Sequence, residues 1–168
     1  MPSERWTART SATLLAAAIL SGCAATGHAE PTVAGEQRNA EIVREAFARG
    51  VGEADTFYAI LADDVQWTVA RASTPATYTT RQQFLENGAG PIVDRLTGPI
   101  HAEVHELITD GDHVVARWRG TTTALDGRPY VNEYNWVMAL KNERVAHVVA
   151  YLDFNALDEL IERVPLPA

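Results

Sequence analysis

The chain has 168 residues, with 14 Lys plus Arg against 22 Asp plus Glu, and a formal net charge of −8. An acidic body of this kind lacks the clustered basic surface that nucleic-acid phosphates or an anionic membrane surface would need. Cys23 is the single cysteine, which excludes an intrachain disulfide.

The first 22 residues read as a targeting segment. Arg5 and Arg9 supply a positive start, and Ala12 to Leu20 is an apolar run too short to span a bilayer. The sequence Leu20-Ser21-Gly22-Cys23 resembles the lipobox of bacterial lipoproteins. That resemblance implies cleavage before Cys23 and lipidation of its thiol. The exported protein would then be held to the cell envelope, on the periplasmic face of an outer membrane or on the outer face of the membrane in a one-membrane bacterium. Residues 23–35 lack periodicity and read as a tether. Residues 36–164 read as one domain of ordinary size.

Within that domain Ala40, Ile42, Val43, Ala46 and Phe47 recur at helical spacing, and Gly50 follows as a stop. The spacing predicts a helix over 36–49, then a second short helix over 53–61 ended by Asp63-Asp64. A first strand is expected over 65–69 and a polar loop over 71–80. Thr80 is placed to cap a third helix over 81–86, and Gly88-Ala89-Gly90-Pro91 interrupts it before another turn through Leu96. Four β-rich runs follow, over 100–109, 113–125, 129–140 and 144–152. They are separated by the turns Asp110-Gly111-Asp112, Asp126-Gly127 and Lys141-Asn142-Glu143. An amphipathic helix over 155–163 closes the domain. The expected class is α+β, a cone-shaped curved antiparallel sheet with helices on its concave side.

The run 129–140 carries Asn132, Tyr134 and Trp136 on one face, because strand side chains alternate. A plain core face would be Val, Ile and Leu, so this row reads as a pocket wall. Glu133 and Asn135 fall on the outer face.

Four segments together resemble the SnoaL-like polyketide cyclase family, within the nuclear transport factor two and ketosteroid isomerase superfamily. They are Leu61-Ala62-Asp63-Asp64-Val65-Gln66-Trp67, Asp110 to Gly120, Tyr130 to Val137, and Tyr151-Leu152-Asp153. The resemblance implies a cone with a cavity at its mouth and a homodimer formed through the outer face of the sheet. It does not specify an activity, because this scaffold carries isomerases, cyclases, hydrolases and binding modules. Enzymatic relatives place carboxylates inside the cone. The matching positions here are Trp67, the pair Arg117 and Arg119, and Ala150, so none of three such acids is inherited.

The expected ligand pocket is Trp67, Arg117, Arg119, Asn132, Tyr134 and Trp136, with Tyr58 facing it from the second helix. Two guanidiniums on one face suit an anion; they equally suit ion pairs with neighbouring acids at the rim. Tyr134 and Trp136 are as well suited to a plain core. No catalytic residue is assigned. His101, Glu103 and His105 alternate along one strand, but strand spacing holds the histidines about 13 Å apart, too far to share a metal. Asp153 is expected to cap the terminal helix rather than to do chemistry. No metal and no cofactor is expected. The favoured partner is a small, partly apolar or anionic molecule. The alternatives are an isomerase, cyclase or hydratase acting on a carbonyl compound, and a homodimeric interaction module.

Overall fold

The structure is a computed structural model and describes residues 32–166. The leader, Cys23 and most of the tether lie outside the described residues. The first helix, α1 (Val33–Ala48), starts three residues before the expected 36, because the Thr32 hydroxyl accepts a hydrogen bond from the Gly35 N–H. Its buried face is Ile42, Val43, Ala46 and Phe47, and Gly50 ends it at φ +84°.

The expected second helix is much shorter. Only Phe57–Ile60 forms a 3₁₀ turn, and the strand β1 (Leu61–Val69) follows at once. Asp63 and Asp64 are exposed strand residues, not breakers. They sit where the β1 register slips between Leu61 and Gln66. Three residues of the expected loop form an edge strand, β2 (Ala76–Tyr78), paired to β1. Next come α2 (Arg81–Phe84), a π-turn over Leu85–Ala89, and α3 (Gly90–Val93). The strands β3 (His101–Asp110), β4 (His113–Thr123), β5 (Pro129–Lys141) and β6 (Arg144–Leu152) lead to the terminal helix α4 (Phe154–Arg163). Asp153 caps α4, its carboxylate accepting from the N–H groups of Asn155 and Ala156.

One sheet holds all six strands in the order β2-β1-β6-β5-β4-β3. It is antiparallel except where β1 lies parallel to β6. The hairpin turns are set by left-handed residues: Gly111 at φ 61°, Gly127 at φ 79°, and the pair Asn142 and Glu143 at φ 51° and 60°. The helix α1 covers the inner face of β3 and β4, where Phe47 meets Trp118 at 5.2 Å between ring centres. Ion pairs from Arg163 to Asp126 and from Arg128 to Glu159 tie α4 to the β4–β5 hairpin. Among the described residues the buried core runs from Ile42 to Val164.

Gly120 is buried on the inner face of β4. A Cβ there would lie 2.7 Å from Ile100 Cγ2, 2.9 Å from Tyr134 Cε2 and 3.0 Å from Trp118 Cζ3. The missing side chain makes room for Tyr134 to lie flat on Trp118. We expect Gly120→Ala to destabilise the domain by about 1–3 kcal/mol through overpacking, read as a lower denaturation midpoint with an unchanged m-value.

Candidate functional site: an aromatic cone

Strand β5 presents Tyr130, Asn132, Tyr134 and Trp136 inward, all buried. Register then decides their company. Trp118 of β4 lies directly opposite Tyr134, and Ala116 opposite Trp136. On the other side Ala150 of β6 lies opposite Trp136. Tyr134 stacks on Trp118, ring centres 4.0 Å apart and planes 11° apart. Trp67 of β1 stacks on Phe84 of α2 at 3.9 Å. Trp136 stands edge-on between the two stacks, 4.8 Å from Trp118 and 4.9 Å from Trp67. These are the offset and edge-to-face geometries that ring quadrupoles favour, each worth about 0.5–1.5 kcal/mol beyond the area buried.

The α2–α3 segment closes one side. Pro91 has no N–H to donate back along the helix, and the Asn87 carbonyl instead accepts the Tyr78 hydroxyl at 3.2 Å. The π-turn between α2 and α3 brings Gly88 and Ala89 to the cavity. Gly88 has no room for a side chain, since a Cβ would lie 2.8 Å from both Phe84 Cδ2 and Tyr78 Cε2. What remains between these walls is a cavity of about 50 Å³. Besides the aromatic rings it is bounded by aliphatic groups such as Val69, Ile92, Ile100 and Leu152. Among the described residues no Asp, Glu, His, Lys or Arg lines it.

The ionisable groups at the cavity are therefore Tyr58 and Tyr134. Burial is the first cause that pushes both hydroxyls up from the ordinary tyrosine value; nearby Tyr130 adds to it. Tyr130 is also raised by burial, against the lowering effect of its hydrogen bonds with Tyr134 and Asn132. All three are neutral at neutral pH. Tyr58 and Tyr134, which line the cavity, can donate a hydrogen bond to a ligand oxygen but do not serve as bases there.

The SnoaL-like domain family matches residues 40–148. The chain belongs to the SnoaL-like domain family. Solved structures carry the same fold. Bal32a, from a soil-derived mobile gene cassette, is 22% identical at a TM-score of 0.60, covering 74% of this chain and 97% of its own. A protein from Jannaschia sp. CCS1, assigned as a SnoaL-like polyketide cyclase, is 16% identical at 0.61, covering 79% and 95%. An NTF2-like protein of unknown function from Burkholderia pseudomallei K96243 is 21% identical at 0.55, covering 77% and 98%. No curated protein matches the chain.

Within this SnoaL-like domain the expected pocket residues divide. Trp67, Tyr134 and Trp136 line the cavity, as does Tyr58. Asn132 is buried on the same face but does not line it. Its amide donates to the Tyr130 hydroxyl and the Asp153 carbonyl, and its oxygen accepts the Asp153 N–H, each at 2.9 Å. It is a structural clamp on the β6–α4 corner. Arg117 and Arg119 are not in the cone at all. They flank Trp118 in a strand of period two, so they face outward, and Arg119 pairs with Glu133 at 2.7 Å while Arg117 meets Glu106 at 3.6 Å. The expected anion site inside the cone is thereby removed.

Trp118 itself was missed, although the same alternation that turns the arginines out turns it in. Tyr130, which has the parity of Asn132, was missed too. On the outer face His105 lies between Glu103 and Glu133, at 3.9 and 3.8 Å. Among the described residues no cluster of His, Cys, Asp and Glu could hold a metal.

Two outcomes are expected. Asn132→Ala should cost about 1–3 kcal/mol by removing the buried amide's hydrogen bonds to the Asp153 backbone and the Tyr130 hydroxyl, whereas Arg119→Ala should stay within about 0.5 kcal/mol, both by chemical denaturation. In an alkaline titration, phenolate absorbance should show Tyr58, Tyr130 and Tyr134 silent until the domain unfolds. Unfolded tyrosines release protons above pH ~10 that the folded ones keep, so stability is full below that pH and falls as pH rises further.

Proposed function

We propose that this SnoaL-like domain is an exported, lipid-anchored protein that binds a small apolar molecule in its cone. The observation that carries the reading is the lining of the cavity: aromatic rings and aliphatic side chains, with tyrosines as the sole ionisable groups among the described residues. Such a wall favours a neutral, mostly hydrocarbon body by removing its surface from water. An anionic ligand loses support, since Arg117 and Arg119 are engaged with acids on the outer face. At about 50 Å³ the cavity is small beside ligand pockets of roughly 300–1,000 Å³. Binding therefore calls for α2–α3 to yield. The π-turn there, a feature frequent at functional sites, supports that role.

A second reading keeps the cone as an active site of isomerase or cyclase type acting on a carbonyl compound. The hydroxyls of Tyr58 and Tyr134 supply donors that could polarise such a group. Raised well above neutrality, they leave the proton-abstracting half of that chemistry without a candidate in the lining. Binding is the better supported of the two.

The anchor rests on the lipobox-like Leu20-Ser21-Gly22-Cys23. Pairing of two copies through the outer face of the sheet, where Tyr151 is exposed, completes the proposal.

A library of small apolar metabolites should contain compounds that raise the melting temperature and alter tryptophan fluorescence; a library without any such compound would overturn the binding reading. Cys23→Ser should abolish fatty-acid incorporation and release the protein from the membrane fraction. Continued membrane association with no lipid attached would refute the anchor.

A further inference from the structure

Trp118 is fully buried, lines the cavity, and holds its Nε1–H without any hydrogen-bond partner among the described residues. A buried, unmet donor is costly, about 1–3 kcal/mol, and such groups are rare in a folded core. The neighbouring hydroxyls do not supply a partner: the indole lies flat against Tyr134, so its in-plane N–H does not point at that ring's hydroxyl, which pairs with Tyr130, and Tyr130 accepts from Asn132. The polar chain thus runs from Tyr134 away to the Asp153 corner and leaves the indole out.

An indole N–H is a donor only, so what would satisfy it must be an acceptor. A single water would need roughly two to four polar partners, which this nearly apolar wall does not gather. A cation is also a poor fit. Among the described residues no carboxylate lines the cavity, and Trp67 and Trp118 each have one face stacked, on Phe84 and Tyr134. The Tyr58 hydroxyl, on the same lining, is held protonated by burial.

We propose that the Trp118 indole N–H is the specificity-determining donor of the cone, and that it receives the oxygen of a neutral, largely hydrocarbon ligand such as a cyclic ketone or ether. This rests on the reading of the cone as a small-molecule site. It narrows that reading to molecules with an apolar body and one uncharged acceptor, and it selects against amines and carboxylates.

The test uses the full chain and a pair of probes of similar shape, cyclopentanone and methylcyclopentane. In the wild-type protein, nitrogen-15 spectra of the indole N–H groups are recorded through a titration with each. Cyclopentanone should move the Trp118 indole proton downfield, and methylcyclopentane should leave it in place. Trp118→Phe keeps the ring and removes the donor. It should weaken cyclopentanone roughly tenfold and change methylcyclopentane less than about twofold. If both probes bind but the Trp118 proton does not distinguish them, this assignment is wrong and the binding reading stands. If both probes weaken equally in a folded Trp118→Phe protein, the assignment is likewise wrong. Should neither probe bind the wild-type protein, both fall. Should Trp118→Phe not fold, the wild-type spectra decide alone.

Discussion

The cone depends on how Trp136 is seated. Its ring meets Trp67, Trp118 and Phe57 edge to face and Phe47 at a tilt, so it touches β1, β4, the 3₁₀ turn and α1 at once. Among the described residues no other aromatic ring meets rings from so many elements. Its neighbours across the sheet are both alanine, Ala116 and Ala150, and that choice is a packing requirement. Three adjacent strands cannot each carry a large ring at the same level of a curved sheet. Small residues beside Trp136 let Trp118 and Trp67 close on it from one level away. Gly120 does the same for the Tyr134 and Trp118 stack. The aromatic cluster is thus the core of the domain and the wall of its cavity in one.

That double role explains why part of the site was legible in the sequence and part was not. The turns were readable because they need residues that tolerate positive φ, and Gly111, Gly127 and Asn142 supply them. The inward row of β5 was readable because a strand alternates. The error at Arg117 and Arg119 came from reading β4 by its charges instead of by register. With Thr123 opposite Pro129 across the Asp126-Gly127 turn, Tyr134 must face Trp118, and the arginines must take the side of Glu133 and Asn135. The information was present, but it lay in the pairing of two strands and not in either strand alone. The short helix expected over 53–61 failed for a different reason. Gly50 and Gly52 turn the chain with positive φ, and Leu61 is recruited opposite Val145 as the start of a parallel strand. Tertiary pairing overrode a weak local preference. Edge strand β2 could not be read because three residues carry no period.

The polar groups of the cone follow a division of labour that sequence pattern does not reveal. Asn132 and Tyr130 have the parity and chemistry of ligand contacts, yet their hydrogen bonds are spent on the β6–α4 corner. Asp153 closes that corner from the other side by capping α4. A buried amide with each of its groups engaged specifies one geometry, and this one fixes where the terminal helix leaves the sheet. The apparent pocket residue is therefore a frame residue. The ligand-facing polarity passes to atoms that seem at first to belong to the core, the indole of Trp118 and the hydroxyl of Tyr58.

A frame so well satisfied makes a bare donor on the neighbouring strand informative. The Asn132 amide, the Tyr130 and Tyr134 hydroxyls and the Asp153 N–H all have partners, while the Trp118 indole N–H, like Arg95 Nε elsewhere, has none among the described residues. If packing alone had shaped this position, phenylalanine would fill it without leaving a donor unmet. Tryptophan adds ring area that helps hold Trp136, and that gain can offset part of the cost of the bare donor. It does not supply the donor with a partner. The cavity that Trp118 lines has room to admit one. An acceptor that enters from outside completes the hydrogen bond that the protein leaves open, and the penalty carried by the empty domain then becomes binding free energy and selectivity.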